Sequence, residues 1–287
     1  MQEFTFLALG TTWSVVVDDT VFSDQAKQSI LDLVQGFEKR FSRFLPDSEV
    51  NAFRTATAGD YPLSHEFLRL LVVADRLRVL TLGAYDPAVA GLLEEAGYGA
   101  QSGLDVLETK KSLPQWSLHS ERLIIDGPVA FDFGGMGKGY CIDRVADILK
   151  SFGYDYFVVE GGGDMVATCK KDGSPWRVAV EYPGKPDLAA SLVELSYQGL
   201  AVSDSFRRRF GKWHHLISAQ ERVPIEHIIG CTAVARDAWA ADSMTSGLFF
   251  GPADNYPVLA EEFSAEYLVF QKNGTVTVSN GWPGELF

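Results

Sequence analysis

A chain of 287 residues, 46% of them hydrophobic and 22% charged, can bury a full globular core as one large domain or two small ones. Its net charge of −13 argues against nucleic acid and anionic membrane as principal partners, and a polyanionic ligand would need backbone amides, local basic groups or a divalent cation to offset repulsion. The cysteines Cys141, Cys169 and Cys231 are far apart and form no CxxC or Cys/His cluster, so neither a disulfide framework nor a zinc site is indicated.

Residues 4–9 and 13–17 alternate like two strands paired across Gly10-Thr11-Thr12. The opening segment carries Glu3 and lacks a basic region ahead of its apolar stretch, so it reads as a strand and not as a secretion signal. As written the chain reads as cytoplasmic, or as exported or periplasmic if a leader was removed, and no apolar run approaches a membrane span. Residues 23–44 form an amphipathic helix with Ile30, Leu33, Val34, Phe37 and Phe41 on one face, ended by Pro46-Asp47-Ser48. A second helix, 65–82, stops at Gly83, and Asp86-Pro87 opens a shorter one, 88–96, before Gly97-Tyr98-Gly99.

A short apolar strand then ends in Asp132, and the helix after it has Tyr140, Val145, Ile148, Leu149 and Phe152 at helical spacing. Beyond residue 155 the texture changes to strands, at 156–159, 165–169, 176–182, 190–195, 213–217 and 228–235. A helix at 237–250, a short helix and a hairpin of 267–270 with 275–279, turned by Asn273-Gly274, complete the chain. The segregation predicts an α+β fold with a mostly antiparallel sheet and helices concentrated in the N-terminal half. No linker interrupts it, so residues 1–287 read as a single domain.

Three constellations carry chemistry. Gly134, Gly135, Gly137 and Gly139 surround Lys138 at a helix N-terminus, where amides and dipole favour a phosphate. The loop matches neither a P-loop nor a Rossmann fingerprint, and a ligand-free strand-to-helix turn is the equal alternative. Gly161-Gly162-Gly163-Asp164 holds more glycine than a tight turn needs, which fits close approach to a ligand or a bulged hairpin. Asp242 and Ser246, four apart on a helix, offer a carboxylate and a hydroxyl to a hard cation such as Mg²⁺, or simply decorate the helix. Arg207, Arg208 and Arg209 could meet a phosphate or line a solvated strand. His214 and His215 in a strand would face opposite sides, so they do not chelate a metal.

In their order along the chain, these motifs resemble the FAD:protein FMN transferases, the ApbE-like flavin transferases. The resemblance rests on Leu9-Gly10-Thr11, Phe41-Ser42-Arg43-Phe44 through Ser48-Glu49, Gly83-Ala84-Tyr85-Asp86-Pro87, and Gly97-Tyr98-Gly99. It continues through Asp132 to Asp143, Gly162-Gly163-Asp164, Ala201-Val202-Ser203, His215-Leu216-Ile217 and Ala241-Asp242 to Phe249. It implies a single-domain fold that binds FAD in a cleft with Mg²⁺ on the pyrophosphate. FAD would be cleaved, FMN moved to a threonine or serine of a target protein, and AMP released. By the same resemblance Asp242 and Ser246 ligate the metal with a main-chain oxygen at Gly137, and Asp242 and His215 serve catalysis. Gly10, Thr11, Tyr85, Asp86, Gly134, Gly135 and Lys138 are expected to bind the flavin nucleotide, together with Gly162, Gly163, Asp164 and Ser203.

The chain departs from the family pattern at four places. Arg54 stands where the family has Asn, Ser203-Asp204 replaces Ser-Gly, Ser218 to Arg222 replaces Asp-Pro-x-Thr-Gly, and Ser246 replaces Thr with its hydroxyl kept. An ion pair joining Arg54 to Glu221-Arg222 would narrow the cleft and weaken FAD binding. The alternative function is then a family member that only binds or hydrolyses FAD or another nucleotide.

Overall fold

The computed structural model describes residues 1–18, 21–99, 113–211 and 213–287. Strands β1 (Gln2–Ala8) and β2 (Thr11–Val17) pair antiparallel, and the alternation buries Trp13, Val15 and Val17 on one face. Helix α1 (Asp24–Phe41) starts where the Ser23 hydroxyl accepts Ala26 N–H at 3.2 Å, and it buries Ile30, Val34, Phe37 and Phe41. After β3 (Gly59–Pro62), helix α2 (His65–Leu80) is capped in the same way by Ser64, which accepts Phe67 N–H at 3.3 Å. A 3₁₀ turn, Pro87–Val89, leads into the short helix α3 (Ala90–Glu95).

Strands β4 (Trp116–His119) and β5 (Arg122–Ile125) join β3 in a small antiparallel sheet. Helix α4 (Gly137–Ser151) follows the glycine turn. Then come β6 (Phe157–Gly161), β7 (Asp164–Ala167), β8 (Trp176–Tyr182), β9 (Lys185–Leu195) and β10 (Gln198–Asp204). Two short strands, β11 (Arg209–Phe210) and β12 (Trp213–His214), form a hairpin beside the long β13 (Ile228–Ala235). Helices α5 (Ala238–Phe250) and α6 (Tyr256–Phe263) precede β14 (Glu266–Gln271), β15 (Val276–Val278) and β16 (Gly284–Leu286).

The central sheet runs β1-β2-β6-β7-β10-β13-β14-β15, with every neighbouring pair antiparallel. One face is covered by α4 and α5, and α1 packs on α4. The other face is covered by the β16-β9-β8 sheet, which closes a second core around Val180, Val193, Leu195, Leu200 and Val234. The result is the expected α+β fold, mostly antiparallel, with four of the six described helices ending by residue 151. No described helix is long and apolar enough to cross a membrane.

Three sequence expectations need correction. Residues 128–132 are irregular, tied down by Val129 N–H to Phe53 O at 3.0 Å and Asp132 N–H to Pro87 O at 2.7 Å. The strand expected at 213–217 is only Trp213–His214, because the backbone bends at His215. Strand β10, at the centre of the sheet, was read only as a short motif; Tyr197, at φ 55°, turns the chain into it. The main core draws buried residues from Ala8 to Val269, across both halves of the chain. Limited proteolysis is therefore expected to yield no pair of stable halves; two such fragments would show separate folding units.

Candidate active site

A cavity of about 520 Å³ opens where the C-terminal end of α1, the segment after α2, the glycine turn before α4, the end of β10 and helix α5 meet. The glycine turn is built by Asp132, whose Oδ1 accepts Gly134 N–H at 2.6 Å. Its Oδ2 accepts from Arg43 Nε at 2.6 Å, and Arg43, only 3% exposed, also donates to Tyr98 O at 3.2 Å and lies 3.4 Å from Glu94. A buried arginine thus ties three wall segments together, which rigidifies the cavity more than it stabilises the fold.

Helix α4 starts without a side-chain cap from Met136; its Gly139 N–H is instead satisfied by Asp242 Oδ2 of α5 at 2.8 Å. The two helices touch here, since a Cβ on Gly139 would lie 2.4 Å from Ala238 O and 2.7 Å from Asp242 Cβ. Gly135 is required for the same reason: a Cβ there would stand 2.7 Å from Ser246 Oγ. Ser246 Oγ donates to Gly135 O at 2.5 Å. Burial pushes the Asp242 carboxyl up, opposed by the Lys138 charge and the Gly139 N–H.

Lys138, in the first turn of α4, makes an ion pair with Asp164, whose other oxygen accepts Val202 N–H at 3.1 Å. Burial lowers the Lys138 pKa to about 8, with the Asp242 carboxylate acting against that shift. His215 faces the cavity with its ring against Tyr98, while His214 lies against Phe249 on the other side. Burial and then the Arg208 charge push His215 down to about 4, so its imidazole is neutral at pH 7. Its Nδ1 and the Tyr85 Oη are buried, with no hydrogen-bond partner among the described residues. Both atoms are therefore suited to meeting a ligand. Asp86 is occupied structurally, accepting Ala88 N–H at 2.8 Å and Trp116 Nε1–H at 2.9 Å.

Ten of the sequence-predicted residues reach the cavity wall. They are Gly10, Tyr85, Asp86, Gly134, Gly135, Gly137, Lys138, Ser203, His215 and Ser246. Asp164 and Asp242 stand just behind, holding Lys138 and Gly139. Thr11, Gly162 and Gly163 do not line the cavity. Gly162 and Gly163, at φ 62° and 98°, make the tight turn between β6 and β7, and Gly161 lies across from Trp13, 3.1 Å from where its Cβ would be. Turn geometry and packing account for that glycine surplus. The carbonyl beside Ser246 is that of Gly135, not Gly137, which is the first residue of α4 and whose carbonyl points into the helix.

Among the described residues no group of three or more His, Cys, Asp or Glu could hold a metal. The carboxylate of Asp242, the hydroxyl of Ser246 and the carbonyl of Gly135 are nonetheless all hard oxygen donors. A set with one carboxylate suits Mg²⁺, which takes its remaining oxygens from water and phosphate. Arg43, Phe44, Tyr98 and Arg208 also line the cavity and were not singled out as site residues. Arg43 and Phe44 lay within a recognised segment and Arg208 within the arginine run, but neighbouring arginines do not reveal which one turns inward. Arg207 pairs with Glu181 at 2.6 Å and Asp204 at 3.1 Å instead.

The pairing expected between Arg54 and Glu221-Arg222 does not form. Arg54 pairs with Glu94 and donates to Asn51 Oδ1 at 2.7 Å, whereas Arg222 pairs with Glu95 at 3.1 Å. Asp204 is likewise turned to its own loop, accepting Phe206 N–H at 2.7 Å and Arg207 N–H at 2.9 Å. None of Arg54, Asp204, Glu221 or Arg222 lines the cavity, so these charges do not narrow it. Arg54→Ala is therefore expected to cost about 1–3 kcal/mol in chemical denaturation, because buried Glu94 loses one of its cations and keeps Arg43. Widening of the cavity with unchanged stability would contradict this assignment.

A family model described as the ApbE family matches residues 9–269. The chain is 28% identical over 303 residues to the FAD:protein FMN transferase of Haemophilus influenzae, covering 95% of this chain and 87% of that protein. It is 26% identical over 286 residues to the FAD:protein FMN transferase of Escherichia coli K12, covering 91% and 82%. The flavin transferase ApbE from Vibrio cholerae superimposes with a TM-score of 0.82 at 24% identity over 97% of each chain. The ApbE protein of Thermotoga maritima superimposes with a TM-score of 0.83 at 25% identity over 98% of this chain and 97% of that one.

Proposed function

The chain belongs to the ApbE family, and on that footing we propose that it is an Mg²⁺-dependent FAD:protein FMN transferase. The observation that carries the reading is that one cavity gathers the α4 N-terminus, Lys138 and Arg208 with Ser246 and Gly135, while Asp242 stands just behind, on Gly139 N–H. A pyrophosphate needs amides and cations on one side and, in a chain of net charge −13, a cation site on the other. Mg²⁺ would be held by Asp242, Ser246 and the Gly135 carbonyl, and when bound would offset negative charge on the pyrophosphate.

In the reaction a serine or threonine hydroxyl of the acceptor protein attacks the FMN phosphorus of FAD. A new P–O bond forms to that hydroxyl, the bond from the same phosphorus to the bridging oxygen breaks, and AMP leaves with the bridging oxygen. His215, neutral and on the cavity wall, would take the hydroxyl proton, and Arg208 and the Lys138 ammonium, on the same wall, would offset the charge on the phosphates. Tyr85 offers its unpartnered hydroxyl as a hydrogen-bond donor to the nucleotide. Reading the chain as a mere binder of FAD rested on charges inside the cleft, and those charges are paired outside the cavity wall.

The role of His215 predicts the pH dependence. Its folded pKa of about 4 lies below the usual 6.5, so the base is present above that value and is lost as pH falls through about 4. Single-turnover transfer rates should stay level from pH 7 down to about 5 and then fall. An acid limb centred near 6.5 that survives in His215→Ala would remove His215 from the proton path. The binding step is tested by titrating FAD fluorescence with and without Mg²⁺: quenching in both, with an affinity at least about tenfold tighter in Mg²⁺, supports the reading, and no quenching in either contradicts it.

A further inference from the structure

Helix α5 brings Ser246 to the cavity wall and Asp242 just behind it, but its first turn lies away, beside Asp143 of α4. A helix leaves its first four N–H groups without intrahelical acceptors. On α5 the three that follow the cap residue, at Ala238, Trp239 and Ala240, are all met by side-chain carboxylates. Ala238 N–H donates to Asp143 Oδ1 at 3.0 Å and Trp239 N–H to Asp143 Oδ2 at 2.9 Å. Ala240 N–H donates to Asp237 Oδ1 at 2.8 Å, and the first intrahelical bond follows, Ala241 N–H to Asp237 O at 3.2 Å. Asp237 is therefore the helix's own cap, and Asp143 is a second carboxylate brought in from another helix.

Its position follows a pattern. Gly135 meets Ser246, Gly139 meets Asp242, and Asp143 meets Ala238. Each step of four residues forward into and along α4 is matched by a step of four back along α5. The two helices thus run antiparallel with three polar rungs one turn apart. The first two rungs hold the oxygens read above as the metal site. The third lies outside the cavity, and it alone uses both oxygens of one side chain to grip two successive amides. Gly139 lets the seam close, so sliding α5 by one turn, about 5.4 Å, would break all three rungs together.

We infer that Asp143 is a positioning residue that sets the register of α5 against α4, and so the placement of Asp242 and Ser246 relative to the Gly135 carbonyl. The inference rests on the flavin-transferase reading for its functional consequence, but not for its geometry. Two carboxylates, Asp143 and Asp237, crowd the same helix end, and burial with this repulsion raises the Asp143 pKa. Such crowding is tolerated where the acceptors are needed to fix a helix in place.

The test compares Asp143→Ala and Asp143→Asn with wild type by amide hydrogen exchange and by FAD titration in Mg²⁺ and in EDTA. Asp143→Ala should speed exchange of amides 238–246 at least about tenfold and weaken FAD affinity in Mg²⁺ by about tenfold, a loss of the size a missing cap produces. Affinity in EDTA should move less than about threefold, because the amides and cations around the phosphates are untouched. Asp143→Asn keeps one acceptor oxygen and should restore part of both effects; if Asp143→Ala does not fold, Asp143→Asn against wild type decides. Faster exchange with unchanged affinity in Mg²⁺ would reduce Asp143 to a cap, and unchanged exchange would overturn the inference outright. Equal losses in Mg²⁺ and EDTA would also overturn it. A wild type whose FAD affinity ignores Mg²⁺ would count against the metal reading itself, and exchange at 242–246 would then decide the register role alone.

Discussion

Asp242→Ala should lower FMN transfer by at least about a hundredfold and abolish the Mg²⁺ dependence of FAD binding. Asp242 is the one carboxylate in the donor set with Ser246 and Gly135, and a hydroxyl and a carbonyl alone hold a hard cation poorly. The variant should still fold. It leaves Gly139 N–H without its acceptor, at a cost of about 1–3 kcal/mol, but it also removes a buried carboxylate whose ionisation burial disfavours. Asp242→Asn separates the two effects, since it can still accept from Gly139 but offers the cation no charge. Ser246→Thr keeps the hydroxyl and should bind Mg²⁺ at least as well as wild type. Unchanged FAD affinity in Mg²⁺ for Asp242→Ala, measured by fluorescence titration, would show that the cation sits elsewhere.

Gly139→Ala should be strongly damaging to both fold and activity. The added Cβ would lie 2.4 Å from Ala238 O and 2.7 Å from Asp242 Cβ, both on α5, so the helices must separate. Overpacking of a rigid seam costs about 1–3 kcal/mol, and here the neighbour is backbone that cannot rotate away. Separation also pulls Asp242 from Gly139 N–H and Ser246 from Gly135 O. Denaturation midpoints and transfer rates should therefore fall together. Ala at Gly36 of α1, where a Cβ meets nothing within 4 Å, is the matched control and should leave both intact. A Gly139→Ala protein as stable and active as wild type would mean that the α4–α5 seam is not tight.

Much of this arrangement was legible in residues. Helices α1 and α2 showed their approximate extents and α1 its apolar face, and the glycines around Lys138 marked a helix N-terminus. The D-x-x-x-S spacing on α5 put Asp242 and Ser246 on one face before any partner was known. What could not be read was tertiary. The glycines at 135 and 139 answer the approach of α5, and those at 161–163 answer Trp13 and a hairpin; a sequence shows the glycine but not what comes near it. The partners of Arg54 and Arg222 are Glu94 and Glu95, consecutive acids on α3 whose importance no local pattern signals. The small strands β3, β4 and β5 were missed because each spans four residues and β3 begins with Gly59 and ends with Pro62, which read as punctuation.

The central claim is that one cavity cleaves FAD and hands its FMN to a protein hydroxyl. It is tested most directly by incubating the protein with FAD, Mg²⁺ and a serine- or threonine-bearing acceptor, then measuring AMP release and acid-stable flavin on the acceptor in the same samples. The account predicts AMP and covalent flavin in equal amounts, both lost in EDTA and in Asp242→Ala. AMP released without covalent flavin, or covalent flavin formed in EDTA at the same rate, would contradict it.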